Sequence, residues 1–171
     1  MLSSYTNFLA TSAGASSGFI GLFFVALSFA RTELSNPLIR ERRIILSGGS
    51  LLAWFDIFIV SLLSLTGQTS FFAMACVVMA VVSLFITYTL LSRAVRAGAF
   101  SPSSPTRKQS MTFATVAASL YTTQLVSGVT LWQNLQSSWP IQCMVLVIVG
   151  LFISGLMRVW VVMWIPPSEK L

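Results

Sequence analysis

Long apolar runs separated by short polar breaks dominate the chain. The first covers about 8–30. It is strongly apolar from Phe19 onward, and 11–18 is built of small residues. A charged stretch around Pro37 follows. The second run, about 44–65, is entered through Ser47-Gly48-Gly49-Ser50. A short turn at 66–69 leads to the third, about 70–91. A Ser/Pro-rich break reads as loop before the fourth, about 111–131. The uncharged stretch 132–139 precedes the fifth, about 141–165, and Pro166-Pro167 closes it. A membrane-spanning helix needs about 20 mostly apolar residues. The pattern therefore predicts an all-α integral membrane protein with one domain, 1–171, a bundle of five transmembrane helices. The fourth run is rich in Ser and Thr, so four crossings is the alternative.

Loop charges test the count. The first connection holds Arg31, Arg40, Arg42 and Arg43, and the third holds Arg93, Arg96, Arg107 and Lys108. The second and fourth hold no Lys or Arg, and the tail holds Lys170. Basic and uncharged ends alternate, which five crossings accommodate and four do not. The positive-inside rule then puts the N-terminus outside and the C-terminus in the cytoplasm. Trp132 and Trp139 mark the outer boundary, Trp160 and Trp164 the inner one. A signal peptide cleaved near Ala30 is the competing reading of the first run. It lacks a basic start and would leave the Arg-rich connection outside.

Composition narrows the function. The 171 residues are 56% hydrophobic and 8% charged, against roughly 25% charged in a soluble domain, and mean hydropathy is +0.85. A soluble domain and a disordered chain are both excluded. There is no histidine, the commonest general base and metal ligand. The four acidic residues are Glu33, Glu41, Asp56 and Glu169, a poor basis for a carboxylate metal site or a paired-carboxylate hydrolase. Cys76 and Cys143 lie in apolar runs without metal-like spacing and read as buried free thiols. No phosphate-loop, dinucleotide or nucleophile-elbow motif occurs. These absences argue against an enzyme, a cofactor or a metal. The pI near 10.2 comes from loop residues at membrane boundaries and points to lipid rather than nucleic acid.

Two charges fall inside apolar runs. Asp56 is about 18 Å from Ile44, and Arg158 about 10 Å from Ile165, at 1.5 Å per residue. Each costs roughly 2.5–3.5 kcal/mol at a helix centre on insertion scales, so each needs a partner or water. Gly49 and Ala53 share a side with Asp56, and Gly150 and Ser154 with Arg158, so both charges are expected to point into the bundle. Three readings stay open. Asp56 is a proton or cation site with Arg158 as gate or counter-charge; the two form a static ion pair; or Arg158 leans to the inner surface and Asp56 is left neutral.

Three further features concern surfaces. In the fourth run Thr115, Ser119 and Thr122, with Gln124, suggest a polar stripe, lining a hydrated path or bonding to helix carbonyls and neighbours. The first run carries a seam of small residues, Gly14, Ser17, Gly18 and Gly21, with a Gly14-x-x-x-Gly18 match. It suits contact with another protein, with a second copy, or with a helix of the same chain. Arg40, Arg42, Arg43, Arg93, Arg96, Arg107 and Lys108 are expected to meet anionic headgroups or a partner.

The stretch Phe8-Leu9-Ala10, Ala13-Gly14-Ala15 and 18–28, continuing into Leu38-Ile39-Arg40-Glu41-Arg42-Arg43, resembles the opening of a group of small, largely uncharacterised bacterial multi-pass membrane proteins. Some of these carry the label of modulators of a membrane-anchored ATP-dependent protease. The resemblance spans roughly the first third of the chain. It implies a bacterial inner-membrane protein and assigns no catalytic residue. The leading expectation is a non-enzymatic accessory or regulatory membrane protein acting through helix and cytoplasmic-loop contacts. The alternative is a small ion channel or proton-coupled transporter using Asp56 and Arg158.

Overall fold

A computed structural model describes residues 2–29, 37–96, 105–135 and 138–163. After one 3-10 turn, Leu2–Tyr5, the described chain is five long helices: α1 Thr6–Phe29, α2 Pro37–Ser64, α3 Thr69–Arg96, α4 Pro105–Gln133 and α5 Trp139–Met163. Four of them, all but α4, are long and apolar enough to cross a membrane.

Three helix ends run past the apolar pattern. The second and fourth helices begin at Pro37 and Pro105 rather than near 44 and 111, and the third continues to Arg96. Proline suits the first helical position, where its missing N–H costs nothing. Hydropathy marks where lipid ends and does not mark where a helix ends. The tight α2–α3 connection closes with bonds from the amides of Leu65, Thr66 and Gly67 to carbonyls three residues back. Gly67 takes φ +73°, the left-handed conformation that commonly ends a helix.

Helices α2, α3, α4 and α5 form a closed ring in that order, each antiparallel to its neighbours. Helix α1 packs outside the ring against α2. Buried positions recur in steps of three and four. They are Leu9, Ala13, Ser16 and Phe23 on α1, and Ala117, Tyr121, Gln124, Gly128 and Leu131 on α4. On α5 they are Ile141, Met144, Ile148, Leu151, Gly155, Arg158 and Val162. This is the seven-residue repeat of coiled-coil-like packing.

The bundle combines an apolar exterior with several polar groups inside its largely apolar core. Ser16, Ser50, Ser61, Ser83 and Gln124 are fully buried, whereas Phe85, Tyr88 and Leu146 are about two-thirds exposed or more. An apolar exterior on this scale suits a lipid solvent. The antiparallel order also gathers basic side chains at one end, with Arg43 half-buried and Arg93 and Arg96 exposed. The opposite end carries the turn at 65–68 and exposed Trp132 and Trp139.

Glycines set the close approaches. A Cβ at Gly128 would lie 2.9 Å from Val77 Cγ2 and 3.1 Å from the Val77 backbone nitrogen. A Cβ at Gly14 would meet nothing within 4 Å. Gly128→Leu is therefore expected to lower unfolding free energy by about 1–3 kcal/mol through overpacking. Gly14→Leu is expected to leave it unchanged or slightly raised. Thermal unfolding followed by circular dichroism in one detergent compares the two.

Candidate functional site

The interior polar groups lie on the inward faces of the ring. Asp56, on α2, is almost fully buried. Its described partner is Gln124 of α4, whose Nε2 donates to Asp56 Oδ1 at 3.0 Å and lies 3.4 Å from the Cys76 carbonyl oxygen of α3. One amide thus ties three helices together. Tyr121, one turn before Gln124, is also buried, with Ser83 of α3 beside its hydroxyl. The Tyr121 hydroxyl, the Ser83 and Ser127 hydroxyls and Gln124 Oε1 have no hydrogen-bond partner among the described residues. The arrangement is a small hydrogen-bonding cluster around one carboxyl, closed off by apolar packing. Such a cluster can hold a cation or hand a proton along hydroxyls.

Arg158 does not join it. Its Nη2 donates to the Phe113 carbonyl of α4 at 3.0 Å, and its guanidinium carbon stands 5.8 Å from the Phe113 ring centre. Nη1 fills the place a Cβ at Gly49 would occupy. Gly49 precedes Asp56 by seven residues, about 10 Å along the helix axis. Of the three open readings, the Asp56–Arg158 ion pair is therefore not formed among the described residues. Each charge meets a different partner at its own level, Asp56 the Gln124 amide and Arg158 the Phe113 carbonyl, and Tyr121 stands within electrostatic reach of both. The burial inferred for both charges is present: Asp56 is 1% exposed and Arg158 7%.

The same level of the bundle holds the exchange between α2 and α5. Trp54 of α2 lies against Gly155, where a Cβ would come within 2.7 Å of the indole nitrogen. Ser50 Oγ lies 3.1 Å from the Gly155 carbonyl oxygen. Outside, Phe19 stacks on Trp54 with centroids 5.4 Å apart, and Phe23 meets it edge-on at 5.6 Å.

The anticipated stripe on the fourth helix separates into two faces. Thr115, Ser119 and Thr122 are exposed, and Gln124 faces inward. Thr115 and Thr122 donate to the carbonyls of Met111 and Ala118 at 3.0 and 2.7 Å. Residues 122 and 124 differ by two, which puts them on different sides of a helix. The seam on α1 also faces outward: Gly14, Ser17, Gly18 and Gly21 are all exposed, and none of the three glycines has an atom within 4 Å of a built Cβ. The same-chain contact left open by the sequence is made instead by the opposite face, Leu9, Ser12, Ala13, Ser16 and Phe23. The side chains of Arg40, Arg42, Arg107 and Lys108 lie outside the described residues, as does Trp164. Cys76 and Cys143 are free thiols, Cys76 buried.

Two participants were not picked out by the sequence reading: Tyr121, and Gln124 as the partner of Asp56. The row Ala117, Tyr121, Gln124, Gly128, Leu131 was the available clue, since its steps of four and three mark an inward face. No protein-family model matches the chain, and no match is found among curated proteins or solved structures.

Removing the amide should strand the carboxyl. Gln124→Leu is expected to cost about 1–2 kcal/mol, the upper range for hydrogen bonds between membrane helices. The double variant Asp56→Leu with Gln124→Leu is expected to cost less than the sum of the single changes. A double-mutant cycle on unfolding free energy measures the coupling.

Proposed function

We propose that the chain is a small multi-pass protein of the bacterial inner membrane that works without catalysis, as an accessory or regulatory subunit. In this reading α4 is a fifth crossing, the N-terminus is outside, and the C-terminus and the basic connections are cytoplasmic. The resemblance of the first third supplies the bacterial assignment, and the alternation of loop charge supplies the orientation. The outward face of α1 binds another membrane helix, and the basic connections add headgroup or partner contacts.

One observation carries the reading. Each described glycine within α2, α4 and α5 has a neighbouring side chain within 4 Å of a built Cβ; those of α1 have none. Elsewhere in this molecule a helical glycine marks where a side chain of another helix comes in. On α1 three glycines present the same kind of surface with no neighbour among the described residues, and Ser17 between them is exposed. Small residues at four-residue spacing let helix backbones approach closely in lipid.

Gentle solubilisation from native membranes with mass spectrometry of the co-purifying proteins tests this. A stoichiometric partner is expected, and the pair Gly14→Leu and Gly18→Leu should lower its recovery about tenfold or more while leaving thermal stability intact. Recovery unchanged by these substitutions would sink the α1 interface. Orientation is checked separately with single cysteines in a Cys76→Ala, Cys143→Ala background. Positions 66 and 135 should label from outside, and position 98 only after permeabilisation.

A second reading rests on the buried cluster around Asp56 and Gln124, with Arg158 at the basic end as its gate. As a small ion channel or proton-coupled transporter, the protein would support ion flux in liposomes that Asp56→Asn abolishes. No flux in the wild type, or equal flux in that variant, removes it.

A further inference from the structure

Helix α5 carries Arg158 five residues, about 7–8 Å, before its last described residue, Met163. That is the depth at which an arginine reaches from the hydrocarbon to the headgroup layer. Its side chain is held inside the bundle instead, against Gly49 and the Phe113 carbonyl. There it forms one wall of a cavity of about 40 Å³ at the basic end of the ring. The other walls are largely apolar: Ile45 and Leu46 of α2, Leu90 and Leu91 of α3, and Phe113 of α4.

A guanidinium has five N–H donors. Among the described residues one bond is made, to Phe113, and Nε has no partner. Among the described residues no carboxylate is paired with Arg158. Asp56 is occupied by Gln124 about 10 Å away along the axis. Glu41 precedes Gly49 by eight residues on the same helix, more than two turns off. A buried cation without an opposing charge costs several kcal/mol, and a hydrogen-bonded oxyanion offsets that cost.

We infer that Arg158 and this cavity form a binding site for one anionic phospholipid. The phosphodiester oxygens accept from guanidinium N–H groups that the Phe113 carbonyl leaves free, and an acyl chain lies along Leu90 and Leu91. The cavity admits an oxyanion group, at roughly 10–15 Å³ for each water-sized position, and leaves the chains to run out between helices. Depth favours a lipid over a soluble anion, and Arg43, Arg93 and Arg96 at the same end add positive potential at the headgroup layer. Gly49 is the positioning residue, because only a missing Cβ lets the guanidinium lie there. This site is distinct from the headgroup contacts of the loops, and it requires only that the helices around it sit in a bilayer.

The test uses the full chain in detergent, with phosphatidylglycerol added at fixed ratio and native mass spectrometry reading bound lipid. The wild type should retain one phosphatidylglycerol at least tenfold more tightly than phosphatidylcholine. Arg158→Gln should lose that preference, and Arg158→Lys should keep part of it. Leu91→Trp, which fills the cavity and leaves the arginine in place, should also lose it, so a folding defect in Arg158→Gln does not decide the matter. Arg93→Gln with Arg96→Gln should leave the tightest-bound lipid in place. Equal retention of both lipids by the wild type, or undiminished retention in Leu91→Trp, overturns the site. Displacement of the lipid by millimolar inorganic phosphate would also overturn it, identifying a soluble-anion pocket instead.

Discussion

The bundle depends on a reciprocal exchange between α2 and α5. Each helix presents one large polar-tipped side chain to a glycine of the other: Trp54 to Gly155, and Arg158 to Gly49. Lipid tails are as apolar as leucine, so no hydrophobic force drives membrane helices together. Close packing and interhelical hydrogen bonds must do it. The exchange supplies both, because it lets the backbones approach until Ser50 Oγ is within 3.1 Å of the Gly155 carbonyl oxygen. It also fixes how far α5 slides along α2, and that register decides which residues share a level.

The separation of the two intramembrane charges follows from this register. With Gly155 against Trp54, Arg158 falls beside Gly49, toward the basic end. Asp56 stays deeper, where α3 and α4 supply Gln124, Tyr121 and the Cys76 carbonyl. Each charge is buried by a different triplet of helices. A cluster around a carboxyl and a cleft around a guanidinium are therefore two structures with separate chemistry. They are linked only through Tyr121 and the helices that hold both.

Much of this was readable beforehand, and the limits have physical causes. Helical class, the apolar cores of the segments and the inward direction of both charges follow from hydropathy, from the cost of charge in lipid and from the small residues at 49, 53 and 154. An axial offset of about 8 Å between the charges was also readable from their distances to the span ends. Of the three open readings, the ion pair does not form because Gly49 offers a nearer hole at the arginine's own level. Gln124 was grouped with the hydroxyls because both are polar, although its spacing from Tyr121 and Gly128 belongs to the inward row. Outward-facing small residues on α1 defeat sequence reading for a different reason. A glycine face looks the same whether its neighbour is a helix of this chain or of another.

Trp54 gives the bundle an internal optical reporter. Of the four described indoles, it alone is buried; Trp132, Trp139 and Trp160 are more than half exposed. Its ring is sandwiched between α5 and the two phenylalanines of α1. Water-soluble quenchers and headgroup probes reach the other three described indoles first, so in a Trp164→Phe background the fraction of emission that resists them belongs to this residue. Lifting α1 from the ring would strip away Phe19 and Phe23 and change the surroundings of that single fluorophore. The attachment of the outermost helix can thus be followed by intrinsic light, without a label, in any membrane that accepts the protein.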